Sequence, residues 1–161
     1  MILISLTFLG GYILSSLLLF KYPTLIHRRK ELKFHCCHIS HRGGAAENLE
    51  NTLSAFENAV NQRTDMLEID VQLTKDGQVV VSHDNNLLRL AGCGINISDI
   101  NYDDIPSLQC ILPVDFTNGH CCQGGKDRKI PLLQDIFAKY PGIPINIDIK
   151  TNNDILIKKV K

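Results

Sequence analysis

Four short runs restrict the fold of this chain more than anything else in it: FHCCHIS (34–40), MLEIDVQLT (66–74), QVVVSHD (78–84) and INIDIK (145–150). Each is apolar enough for a strand, and each leads into polar residues able to do chemistry. Helical patterns lie between them. NTLSAFENAV (51–60) has Leu53, Phe56 and Val60 at helical spacing, with Asn51 or Thr52 able to cap its start. IPLLQDIFAKY (130–140) places Leu132, Leu133, Ile136 and Phe137 on one side, and DILIKKV (154–160) can begin another helix. Strands alternating with helices predict an α/β fold with a parallel sheet, and near-continuous apolar strands fit a sheet covered on both faces. KDG (75–77) predicts a tight turn, whereas residues from about 85 to 128 are rich in Gly, Asn, Asp and Cys without strong periodicity. In such sheets active residues gather at the C-terminal strand ends, where this chain carries SHRGG, EIDVQ, SHD and DIK.

Glu68 and Asp70 sit two apart in one strand, so both carboxylates point the same way, about 6–7 Å from each other. Two like charges at that spacing call for a positive partner, and hard oxygen ligands suit a divalent cation such as Mg²⁺ or Ca²⁺. The plainer alternative is a half-exposed strand with its polar face in water. INIDIK repeats the pattern: Asp148 and Lys150 share one face, as a third ligand and an anion-holding ammonium or as a simple ion pair. In SHRGG, Arg42 offers a planar fork suited to phosphate, the His41 imidazole suits proton transfer, and the glycines allow close approach of backbone to a ligand. An ordinary surface pair is the commoner role for any single His-Arg. His83 is a second acid/base or a metal ligand, and two histidines flanking a phosphate suit phosphodiester cleavage. Glu50 and Asn51 stand at a helix start, where capping competes with a role beside the site.

The N-terminus poses a separate question. MILISLTFLGGYILSSLLLF is an uncharged, mostly apolar run of 20 residues, about what one membrane-spanning helix needs, and it lacks the basic n-region and small-x-small site of a signal peptide. The expected organisation is a transmembrane helix over 1–22, a basic juxtamembrane linker over 23–35 and an α/β domain over 36–161. Lys21, Arg28, Arg29, Lys30 and Lys33 against Glu31 favour a cytosolic C-terminal side. The NIS tripeptide at 96–98 would matter only in a lumen. With 17 basic and 17 acidic residues the net charge is zero, which argues against a nucleic-acid partner held by bulk charge. The six cysteines, two pairs of them adjacent, match neither a disulfide framework nor a zinc site.

In order along the chain, HRGG, ENTLSAF, EIDVQLTKDG, VVVSHD and INIDIK resemble the glycerophosphodiester phosphodiesterase family across residues 41–150. With the apolar run and KYPTLIHRRK ahead of them, they look like its membrane-anchored lysophospholipase D branch. The resemblance implies a (β/α)8 TIM barrel of the phospholipase C-like phosphodiesterase type, which takes about 250 residues. In 161 residues only the N-terminal half is expected, about four β/α units, preceded by one transmembrane helix. It implies metal-dependent hydrolysis of lysophospholipids, N-acylated lyso-ethanolamine lipids included, to lysophosphatidic acid and the free alcohol or amide, at an endoplasmic-reticulum or other intracellular membrane. A hydrolase of water-soluble glycerophosphodiesters, or an inactive shortened chain, is the alternative. By position, Glu68, Asp70 and Asp148 would hold Mg²⁺ or Ca²⁺. His41 and His83 would be the acid/base pair, with His83 otherwise a metal ligand, and Arg42 and Lys150 would grip the phosphate. Glu50 and Asn51 would stand behind them. The substrate's glycerol hydroxyl would attack first, giving a cyclic phosphate that water opens. Two positions depart from the family pattern: Leu49 stands where Pro is usual before ENT, and Asp148 where Glu is usual.

Overall fold

The computed structural model describes residues 2–28, 30–31 and 33–161, with side chains from residue 5 onward. The chain divides into two compact units, Met1–His35 and Cys36–Lys161.

The first unit is built on α1 (Ile2–Lys21). Among the described residues no helix is long and apolar enough to cross a membrane, so the expected transmembrane helix over 1–22 is not supported. Met1 and the side chains of residues 2–4, part of that expected span, lie outside the described residues, as do Arg29 and Leu32 of the basic segment.

The second unit is an α/β structure centred on β2 (Met66–Leu73). β1 (Ile39–Ser40) runs parallel to it, with Ile39 opposite Met66 and Ser40 opposite Leu67. β6 (Ile145–Ile149) is also parallel, in a register that sets Asp70 beside Asp148. β3 (Val79–Val81) is antiparallel, pairing Val71 with Val81. Since Leu67 pairs with both β1 and β6, and Val71 with both β3 and β6, β1 and β3 share one edge of β2 and β6 takes the other.

The expected parallel sheet of about four β/α units is therefore corrected to a mixed sheet, with three parallel strands and antiparallel β3. The cause is the KDG turn. Thr74 N–H donates to the Gln78 carbonyl at 3.0 Å, Gly77 turns at φ 79°, and so short a loop can only return its strand antiparallel. Three parallel strands do not close a barrel.

α2 (Leu53–Asn61), α4 (Leu133–Lys139) and α5 (Asp154–Val160) accompany this sheet. The Thr52 side chain caps α2 by accepting from Ala55 N–H, and Asn153 caps α5 by accepting from the N–H groups of Ile155 and Leu156. Phe56, Leu67, Ile69, Val71, Ile136 and Leu156 form one core, with Ile145, Ile147 and Ile149 packed against it. Odd-numbered β2 residues thus enter the apolar core, and strand alternation turns Glu68, Asp70 and Gln72 to the opposite face. The aperiodic stretch builds a second core around Leu87, Leu90, Ile97, Leu108 and Leu112. It contains α3 (Leu88–Ala91) and a hairpin of β4 (Ile111–Pro113) with β5 (Cys121–Gln123). No disulfide joins the cysteines.

Candidate active site

The turn after β1 fixes the first two functional side chains. His41–Gly43 is a tight turn in which Arg42 adopts the left-handed φ 50°, ψ 31° and Gly43 φ 74°. A Cβ on Gly43 would lie 2.7 Å from the Phe56 ring, so the turn packs directly on α2. This geometry aims the Arg42 N–H at Glu68 Oε2 (2.9 Å) and brings His41 Nε2 to 4.0 Å from the same oxygen. Phe116 meets the His41 ring edge-on at 4.9 Å and lies 5.6 Å from the Arg42 guanidinium carbon.

Glu68, Asp70 and Asp148 come together as the strand register requires, each offering an oxygen within 4.8 Å of the others. Burial, aided by the neighbouring Asp70 charge, holds the Glu68 carboxyl above its ordinary value, despite the Arg42 N–H that favours the ionised form. Asp70 is fully buried. Its Oδ2 accepts from Asn51 Nδ2 at 3.0 Å and lies 3.4 Å from Arg42 Nε, while its Oδ1 accepts no aligned hydrogen bond. Asn51 Oδ1 is likewise buried without a hydrogen bond. An unpartnered buried amide oxygen beside three hard carboxylate donors makes a set that a divalent cation fits.

The two residues expected to hold phosphate are both engaged with carboxylates. Arg42 is only 5% exposed; its Nη1 donates to Glu50 Oε1 (3.1 Å) and Asp115 Oδ1 (3.0 Å). Lys150 Nζ lies 2.7 Å from Asp148 Oδ2 and 3.0 Å from Asp70 Oδ1. Burial works against the Lys150 charge, but these two carboxylates outweigh it and raise its pKa.

His83 falls in a different group, with Asp84 and Asp115, rather than with the three carboxylates. Its Nδ1 is 2.6 Å from Asp84 Oδ1 and 4.0 Å from Asp115 Oδ2. Burial would raise the Asp84 pKa, but hydrogen bonds from Arg89 and His83 overcome it and hold the carboxyl below its usual range. An ionised Asp84 accepts from His83 Nδ1–H and leaves Nε2 as the basic nitrogen. Arg89 also grips buried Glu50 bidentately, at 2.7 and 2.8 Å. Glu50 therefore ties Arg42 to Arg89 at the core of the site, a larger part than helix capping.

Sequence reasoning missed Asp84, Arg89, Asp115 and Phe116. Asp84 adjoins a histidine already singled out, which was a usable signal. The other three lie in the aperiodic stretch, where no local pattern marks them.

A profile of the Glycerophosphoryl diester phosphodiesterase family matches residues 41–160. The chain belongs to this family. Among curated relatives, Lysophospholipase D GDPD1 of Homo sapiens is 57% identical over 152 residues, covering 94% of this chain and 48% of the relative. Lysophospholipase D GDPD3 of Mus musculus is 40% identical over 152 residues, covering 94% and 46%. The chain thus spans about half the length of the curated relatives it matches. Among solved structures, the glycerophosphodiester phosphodiesterase of Thermotoga maritima matches with TM-score 0.59 at 32% identity, over 80% of this chain and 49% of that one. A Silicibacter pomeroyi structure matches with TM-score 0.61 at 20% identity, over 81% and 53%, and supports the fold alone. The glycerophosphodiester phosphodiesterase fold is thereby shown, as an unclosed TIM-barrel-like sheet in this chain.

Proposed function

We propose that this chain carries the cation- and phosphate-handling side of a lysophospholipase D, acting on lysophospholipids to release the head-group alcohol or amide and leave lysophosphatidic acid. The observation that carries this reading is the convergence of Glu68, Asp70 and Asp148 next to His41 and Arg42. Relatives named Lysophospholipase D support the lipid substrate. Glu68, Asp70 and Asp148 would hold Mg²⁺ or Ca²⁺. A divalent cation bound there supplies Lewis-acid stabilisation of charge on a phosphodiester.

The chain's own residues divide the remaining work. His41, half-exposed and beside Glu68, takes the proton of the attacking glycerol hydroxyl. His83, in its protonated form and oriented through Nδ1 by Asp84, gives a proton from Nε2 to the leaving oxygen, and water then opens the resulting cyclic phosphate to lysophosphatidic acid. Arg42 and Lys150 supply positive charge toward the phosphate. The apolar helix α1 exposes Phe8, Tyr12 and Phe20, and we place it against an intracellular membrane such as the endoplasmic reticulum, with the site on the cytosolic side.

Choline release from lysophosphatidylcholine and from glycerophosphocholine, with and without Mg²⁺ or Ca²⁺, tests the reading. Cation-dependent release from the lysolipid, lost in Glu68→Ala and Asp70→Ala, is expected. Release from glycerophosphocholine alone shifts the function to water-soluble diesters, and release from neither marks the chain as inactive by itself.

A further inference from the structure

Asp70 has one oxygen to offer a cation, and Lys150 is already on it. Asp70 Oδ2 is taken by Asn51 Nδ2 at 3.0 Å and faces Arg42 Nε at 3.4 Å. Oδ1 remains; it accepts no aligned hydrogen bond and lies 3.0 Å from Lys150 Nζ. The same ammonium donates to Asp148 Oδ2 at 2.7 Å. Lys150 therefore spans two of the three carboxylates that would bind the ion. Hard divalent cations sit about 2.0–2.6 Å from their oxygens, so an ion on Asp70 Oδ1 and the ammonium on that same atom would be held against each other.

We propose that Lys150 and the divalent cation are alternative occupants of the Asp70–Asp148 carboxylate pair, so that cation binding is an exchange in which the Lys150 ammonium is released. This rests on the cation site proposed above. Of the two basic side chains that face Asp70, Lys150 is the one built to leave. Its side chain is 28% exposed and ends a flexible four-carbon stem, whereas the Arg42 side chain is 6% exposed and pinned by Glu50 and Asp115. Lys150 directly follows β6, two residues from Asp148, so its released ammonium stays near the same face and becomes available to an anionic ligand. The exchange also suits the charge of the site. With Lys150 bound, the three carboxylates receive one positive charge from it; with the ion bound they receive two, and one ammonium is left over for phosphate.

The test is cation binding and lysine accessibility in the full chain, with no turnover required. Calorimetric titration with Ca²⁺ and Mg²⁺ is compared between the unsubstituted chain and Lys150→Met, which keeps the stem and removes the charge. Lys150→Met is expected to bind at least about tenfold more tightly, because the ion no longer has to displace an ammonium. In the unsubstituted chain, saturating Ca²⁺ is expected to raise acetylation of Lys150 by an amine-reactive ester several-fold, with Lys126 and Lys129 as unchanged internal references. Equal or weaker binding by a folded Lys150→Met, or Lys150 labelling that stays level or falls with Ca²⁺, overturns the exchange while leaving the cation site intact. Absence of Ca²⁺ and Mg²⁺ binding in both chains overturns the cation site and the exchange together. Should Lys150→Met fail to fold, the labelling of the unsubstituted chain decides the matter.

Discussion

Glu50 shows how far one residue's role depends on what surrounds it. In sequence it stands before a helix, where capping is the ordinary expectation; in the structure it is buried between Arg42 and Arg89 and receives hydrogen bonds from both. Removing the charge leaves two guanidiniums without their shared partner, one of them 5% exposed. Glu50→Gln is expected to destabilise the chain by about 3 kcal/mol, read as a lower midpoint in urea unfolding. Asp84 gives a pH-dependent counterpart. Its folded pKa lies below the unfolded value of about 3.9, so its contribution is present above that pH and is lost as pH falls through the folded value. Stability measured by thermal unfolding should therefore drop below about pH 4, and Asp84→Asn should flatten that part of the curve.

At the scale of elements, two local features set where the side chains go. The His41–Gly43 turn works because Gly43 takes φ 74° directly over the Phe56 ring. Gly43→Ala adds a Cβ that clashes with a buried ring in an unfavourable backbone region. A loss of about 2–4 kcal/mol is expected, checked by chemical denaturation. Thr52→Ala removes the α2 cap and should cost about 1 kcal/mol by the same measurement. The helices over 53–61 and 133–139 follow the apolar spacing seen in sequence, because side-chain period is a local property. The direction of β3 is not read from that period. A two-residue repeat is the same in a parallel and an antiparallel strand, and the KDG turn decides between them.

For the whole molecule, the open sheet bears on how firmly the site is held. β1, β2 and β6 carry or lead into the functional residues, yet the parallel set stops at three strands, and the chain spans about half of its curated relatives. A ligand that joins residues on β2 and β6 should stabilise such an arrangement. If the proposed cation binds, thermal unfolding is expected to shift upward with Ca²⁺ or Mg²⁺, corresponding to about 2.7 kcal/mol at a hundredfold excess over Kd. Chelation should reverse the shift, and Asp70→Ala should abolish it.

Which residues share a strand face, and in what order the motifs run, is written in the linear chain. Glu68 with Asp70, and Asp148 with Lys150, follow from a period of two that needs no partner strand. The ordered motifs carried the family and its fold. Folding in three dimensions was needed to set Asp70 beside Asp148, to bridge them with Lys150, to join His83 with Asp84 and Asp115, and to bind Glu50 to two arginines. Those outcomes depend on register and on loops that bring residues distant in sequence into contact, as from Glu50 to Arg89 and from Asp70 to Asp148. Periodicity is a property of neighbours along the chain, while pairing is chosen by the packing of the whole.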